Sequence, residues 1–101
     1  MATESIRYLR PRVDILANGA QFIIRADLPG VAADALDVRV ERGTLTFVGR
    51  RAGRTGFRRH FTIPKSTDVD AVTADLEHGV LQVTLPKNAS ARARTIPVAV
   101  G

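Results

Sequence analysis

The chain has 101 residues, which is room for one compact domain with a modest core. It has no cysteine, which excludes disulfides, thiolate metal sites and a cysteine nucleophile together. Net charge is +5, 13 of the 15 basic residues are arginine, and the apolar residues come in stretches too short to span a bilayer. The first twelve residues, MATESIRYLRPR, lack the apolar run of a secretion signal, so the expectation is a soluble, cytoplasmic protein.

Residues 1–10 carry Ile6, Tyr8 and Leu9 among charged neighbours and read as a short flexible arm. From residue 11 onward, apolar and polar residues alternate as in half-buried strands. Val13 and Ile15 alternate with Arg12 and Asp14, and Asn18-Gly19 then signals a two-residue hairpin in which both positions tolerate positive φ. Phe22, Ile24 and Ala26 share the next face. Leu28-Pro29-Gly30-Val31 suits a type II turn, and residues 32–35 suit one helical turn.

Leu36, Val38 and Val40 follow against Asp37, Arg39 and Glu41, with a hairpin at Arg42-Gly43. Leu45 and Phe47 form a strand, as do Phe57, Phe61 and Ile63. A second helical turn fits residues 66–70. Val72, Ala74 and Leu76, a tight turn at His78-Gly79, and Leu81, Val83 and Leu85 come next. Ile96, Val98 and Val100 complete about eight short strands. Even spacing with Gly and Pro turns predicts an all-β, antiparallel sandwich of immunoglobulin-like shape over residues 11–87. Residues 88–101 read as a polar linker and an Ile96-Pro97-Val98 tail.

Nothing here spells catalysis. His60 has outward parity and His78 sits in a turn. Asp75, Glu77 and His78 are the nearest approach to a metal set, and alternation plus a turn accounts for them. No P-loop, G-x-S-x-G elbow or Gly-rich dinucleotide turn occurs, so no enzyme activity, cofactor or metal is expected.

Charge is unevenly spread. Arg42, Arg50, Arg51, Arg54, Arg58, Arg59 and Lys65 lie in an acid-free stretch, and Asp68, Asp70, Asp75 and Glu77 follow at once. A nucleic-acid patch is one reading of the basic run, and a solvated arginine-rich loop is the favoured one. Arg59 shares the parity of Phe57 and Phe61, which would aim it at the core. Two explanations stay open, an edge strand from which it snorkels out or an ion pair at a subunit interface.

Four segments resemble the small heat-shock protein (Hsp20, α-crystallin domain) family. Residues 26–31, ADLPGV, look like its A-D-L-P-G-V turn, and residues 74–85, ADLEHGVLQVTL, with Pro86-Lys87, resemble its A-x-x-x-x-G-V-L signature. Residues 56–64, GFRRHFTIP, are similar to its F-x-R-x-F-x-L/I-P strand, and Ile96-Pro97-Val98 matches its I-x-I/V tail motif. The resemblance runs in unbroken order over residues 11–98. It implies an ATP-independent holdase chaperone of the stress response that binds unfolding client proteins, self-associates, and works alongside longer relatives. No membrane partner is implied, and nucleic acid is disfavoured.

The resemblance also implies a groove lined by Leu36, Val38, Val40, Val72, Ala74 and Leu76, into which a partner's Ile96-Pro97-Val98 docks. The other reading of that tail is a last strand folded on its own sandwich; Pro97 restricts such a strand to an edge. The chain departs from the family in two places. Its N-terminal arm is short, and residues 50–56, RRAGRTG, are too short to be exchanged with a dimer partner. The expected interface is therefore the edge strand carrying Phe57, Arg59 and Phe61. A non-chaperone interaction module, or less favoured a nucleic-acid binder, is the alternative function.

Overall fold

Strands with one apolar face must bury it against something, and here they bury it against each other. The computed structural model describes residues 5–89 and 96–100. Its strands are β1 (Arg7–Leu9), β2 (Val13–Ala17), β3 (Gln21–Asp27), β4 (Val31–Glu41), β5 (Thr44–Arg51), β6 (Thr55–Thr62), β7 (Thr73–Glu77) and β8 (Val80–Pro86). One sheet has the order β1-β6-β5-β4 and the other β2-β3-β8-β7. All pairings are antiparallel except β1 with β6, which is parallel. The fold is the all-β sandwich that the alternation predicts.

The core draws on both sheets. Leu45, Phe47 and Phe57 meet Ile24, Ala26, Leu81, Val83 and Leu85, closed by Leu28, Val31 and Ile63. Pairing aligns the inward faces: Phe22, Ile24 and Ala26 stand opposite Leu85, Val83 and Leu81. Full burial of such a side chain contributes roughly 1.5–3 kcal/mol, so this cluster dominates the stabilisation.

Three turns follow from residue chemistry. Gly30 has φ +82° and the Val31 amide donates to the Leu28 carbonyl at 3.2 Å, the type II turn expected there. Arg42 and Gly43, and again His78 and Gly79, both have positive φ, which gives two-residue hairpins whose twist matches the strands.

Several expectations are corrected. Asn18-Gly19 does turn the chain, but neither residue has positive φ. Instead the Asn18 side-chain oxygen accepts from the amides of Ala20 and Gln21, at 2.8 and 3.0 Å, in a longer loop. Residues 32–35 form no helical turn; they belong to β4, whose register shifts between Val31 and Leu36. The second helical turn exists as a 3-10 turn at Val69–Ala71. Arg7–Leu9, read as part of an arm, form β1 along the first half of β6. Ile96, Val98 and Val100 are not a strand, so β1 takes the place in the count of eight that alternation gave to them.

Candidate functional site

Among the described residues, two edges of the sandwich remain without strand partners on one side of the molecule. β4 ends the first sheet and β7 ends the second. Register fixes which side chains face inward between them. Leu36, Val38 and Val40 stand opposite Gly49, Phe47 and Leu45 of β5, and Ala74 and Leu76 stand opposite Val83 and Leu81 of β8. Five of the six groove residues expected from the sequence therefore look into the gap between the two edges, and Val72, just before β7, lines the cavity there.

That gap is open. One cavity of about 310 Å3 is lined by Val38, Val40, Val69, Val72 and Ala74, with Arg39 and Thr73 at its margin. A second, of about 230 Å3, adjoins it through Val38 and Ala74 and reaches Ala33, Leu36, Asp75, Leu76 and Leu81. Leu36, Val38, Val40, Val72 and Leu76 are only half-buried, and Ala74 is exposed. The sequence reading missed Val69, an apolar residue 49% exposed beside Val72; its place in a polar stretch between strands hid it.

The outward residues of the same strands are polar, and of these Arg39 and Asp75 line the two cavities. Asp37, Arg39 and Glu41 stand on β4, and Asp75 and Glu77 on β7. Arg39 donates to Asp37 at 2.9 Å, and this bond, reinforced by the carboxylate charge, raises the guanidinium pKa above its ordinary value.

The tail motif does not fill the groove. Ile96 and Val98 are 76% and 87% exposed, and residues 96–100 form no strand on the chain's own sandwich.

The proposed interface residues separate. Phe57 is a core residue, paired with Leu9 of β1 and covered by the Arg51 guanidinium 5.0 Å above its ring. Arg59 and Phe61 lie on the stretch of β6 that β1 leaves uncovered, and both are half-buried. The β5–β6 hairpin closes on itself: Arg50 pairs with Gly56, and the Arg51 Nε donates to the Thr55 hydroxyl at 2.7 Å. A third cavity, apolar and not announced by the sequence, about 200 Å3, lies here between Phe61–Pro64 and Ile15, Phe22, Ile24 and Leu85.

The histidines are far from sharing a site. His60 bonds to the Thr46 hydroxyl on the outer face of the first sheet, while His78 sits in the β7–β8 turn beside Glu77. No helix among the described residues is long and apolar enough to cross a membrane.

The comparison with known proteins agrees with this geometry. The family model described as Hsp20/alpha crystallin family matches residues 14–99. A probable 15 kDa heat shock protein of Leptospira interrogans is 35% identical over 97 residues, covering 83% of this chain and 75% of the relative. Small heat shock protein C4 of Rickettsia felis is 27% identical, covering 91% of this chain and 66% of its own length, so the chain spans a little under two thirds of that relative. Among solved structures, a small heat-shock protein from Xylella fastidiosa is 35% identical with a TM-score of 0.71, covering 92% of this chain and 95% of that one. These likenesses support a chaperone-type role in the stress response. With its sandwich, its signature runs and a family match over most of its length, the chain belongs to the Hsp20/α-crystallin family of small heat-shock proteins.

Proposed function

We propose that this protein is an ATP-independent holdase that lodges extended apolar segments of unfolding proteins in the groove between β4 and β7. The observation that carries the reading is the groove itself: a trough lined mainly by apolar side chains, flanked by two strand edges without a partner among the described residues, and not entered by the exposed Ile96 and Val98. An extended peptide laid there gains main-chain hydrogen bonds from an edge and buries alternate side chains in the trough.

The same groove takes Ile96-Pro97-Val98 of another copy, or of a longer small heat-shock protein in the cytoplasm. Burying Ile96 and Val98 contributes roughly 1.5–3 kcal/mol each. Ordering four or five tail residues costs roughly 1–2 kcal/mol per residue, less at the already stiff Pro97. These terms nearly cancel, so a single tail leaves readily and clients compete for its place. Stable assembly needs several tails at once.

The test is aggregation of a heat-labile client, followed by turbidity, with the full chain in severalfold excess. Suppression without ATP is expected. Unaltered aggregation would remove the holdase reading and leave a module that binds one dedicated partner.

A further inference from the structure

The groove lies at the β4 and β7 ends of the two sheets, and the other ends hold a cavity that the groove does not use. There β2 ends the second sheet, and β6 has no strand partner on its outer side past Phe57 among the described residues. The cavity of about 200 Å3 opens between them. No charged side chain lines it, and Thr62 is its only polar one. Ile15 on its rim is 59% exposed although it stands opposite the buried Ile24. Two of its walls are aromatic, and each carries a cation. The Arg59 guanidinium carbon lies 4.7 Å from the Phe61 ring centroid, and the Lys87 ammonium nitrogen lies 4.7 Å from that of Phe22. Arg59 makes no ion pair among the described residues, whereas Lys87 donates to the Asn18 carbonyl at 2.7 Å. The acids nearest in sequence to the walls, Asp14 and Asp68, do not line the cavity. Apolar walls beside a guanidinium that no carboxylate holds suit a molecule with one apolar chain and one anionic end.

We infer that this cavity binds a single-chain fatty acid, its alkyl chain between Phe22 and Phe61 and its carboxylate on Arg59. A planar guanidinium holds a carboxylate through two parallel hydrogen bonds, whereas an ammonium acts as a point charge. Arg59 is therefore the anchor, and Lys87 adds attraction. The volume is below the roughly 300–1,000 Å3 of sites for drug-sized ligands, so one unbranched chain fits and a two-chain lipid does not. The site lies away from the β4–β7 groove, so fatty-acid binding and client capture are separate properties of the molecule.

The experiment is calorimetric titration of the full chain with butanoate, hexanoate, octanoate and decanoate below their micelle concentrations, and with octanol. Affinity should rise about fourfold per added methylene until the cavity is filled, and then level off. Arg59→Gln should weaken octanoate about tenfold and leave octanol unchanged. Ile15→Trp, which fills the recess from an exposed edge position, should remove binding of both while urea unfolding stays near the parent's. Absence of octanoate binding by the parent chain, or octanoate affinity that neither variant changes, would overturn the inference. Equal weakening of octanoate and octanol by Arg59→Gln would overturn Arg59 as the anchor. Binding of anionic vesicles without binding of octanoate would give the site to a membrane surface instead. A light-scattering mass that drops to the monomer in Ile15→Trp, from a larger parent that ignores octanoate, would give it to a second copy. Either result would overturn the fatty acid as occupant.

Discussion

The Arg59 guanidinium carbon lies 4.7 Å from the centroid of the Phe61 ring, on the core-facing side of β6 opposite Phe47. Alternation aims this arginine inward, and the edge position lets it turn outward along an aromatic face. It makes no ion pair among the described residues, so within one chain the ring is its partner. Arg59→Ala should lower unfolding free energy in urea by about 1 kcal/mol, the scale of a half-exposed cation–π contact with its packing. A loss of about 3 kcal/mol or more that depends on protein concentration would mean instead a desolvated ion pair with another subunit.

Gly56 is the point where β1 can lie against β6. A Cβ there would stand 2.6 Å from the Gly49 carbonyl oxygen and 3.3 Å from the Tyr8 ring, which itself carries the Arg58 guanidinium 4.4 Å above it. The nearest obstacle is backbone, so Gly56→Ala must displace the hairpin or β1, and about 1–3 kcal/mol of destabilisation is expected by urea unfolding. Gly19→Ala is the contrasting variant, with nothing within 4 Å of the added carbon and no positive φ. It should be neutral or stabilise by about 0.4–1 kcal/mol through the unfolded chain.

Thr67 holds a buried hydroxyl without a hydrogen-bond partner among the described residues, although its amide donates to the Pro64 carbonyl and the residue bridges to Lys87. Desolvating an unmatched hydroxyl is costly, while a methyl of the same shape is not. Thr67→Val should therefore raise stability by about 1 kcal/mol in thermal or urea unfolding. A loss of stability would show that the hydroxyl is satisfied in solution.

Ala74 lines both halves of the groove and is itself exposed. Ala74→Phe should occupy the trough without entering the packed core. The expected result is unfolding free energy within about 1 kcal/mol of the parent, because surface positions tolerate change, together with a severalfold weaker suppression of client aggregation.

The parts of the molecule that alternation encodes were legible, and those that depend on pairing across the chain were not. Period-two patterning tells which face of a strand is buried, and it placed Leu36, Val38, Val40, Ala74 and Leu76 on the inward side. It cannot tell which neighbour a strand finds. Tyr8 and Leu9 carry too short a pattern to announce a strand, and β1 exists because Gly56 and Phe57 offer it a surface. Conversely, Ile96, Val98 and Val100 alternate perfectly and stay exposed, since Pro97 cannot donate to a ladder. The cavity between Phe61 and Ile15 was hidden for the same reason: it lies between segments far apart in sequence.

Holdase action by this molecule requires extended polypeptide to enter between β4 and β7. The chain has no cysteine, so Ala74→Cys can carry a single photo-crosslinker in the groove, and His60→Cys can carry the same probe on the outer face of the first sheet. Heated with an unfolding client and irradiated, the position-74 probe should capture client strongly and the position-60 probe hardly at all. Capture from position 60 equal to or greater than that from position 74 would contradict the account.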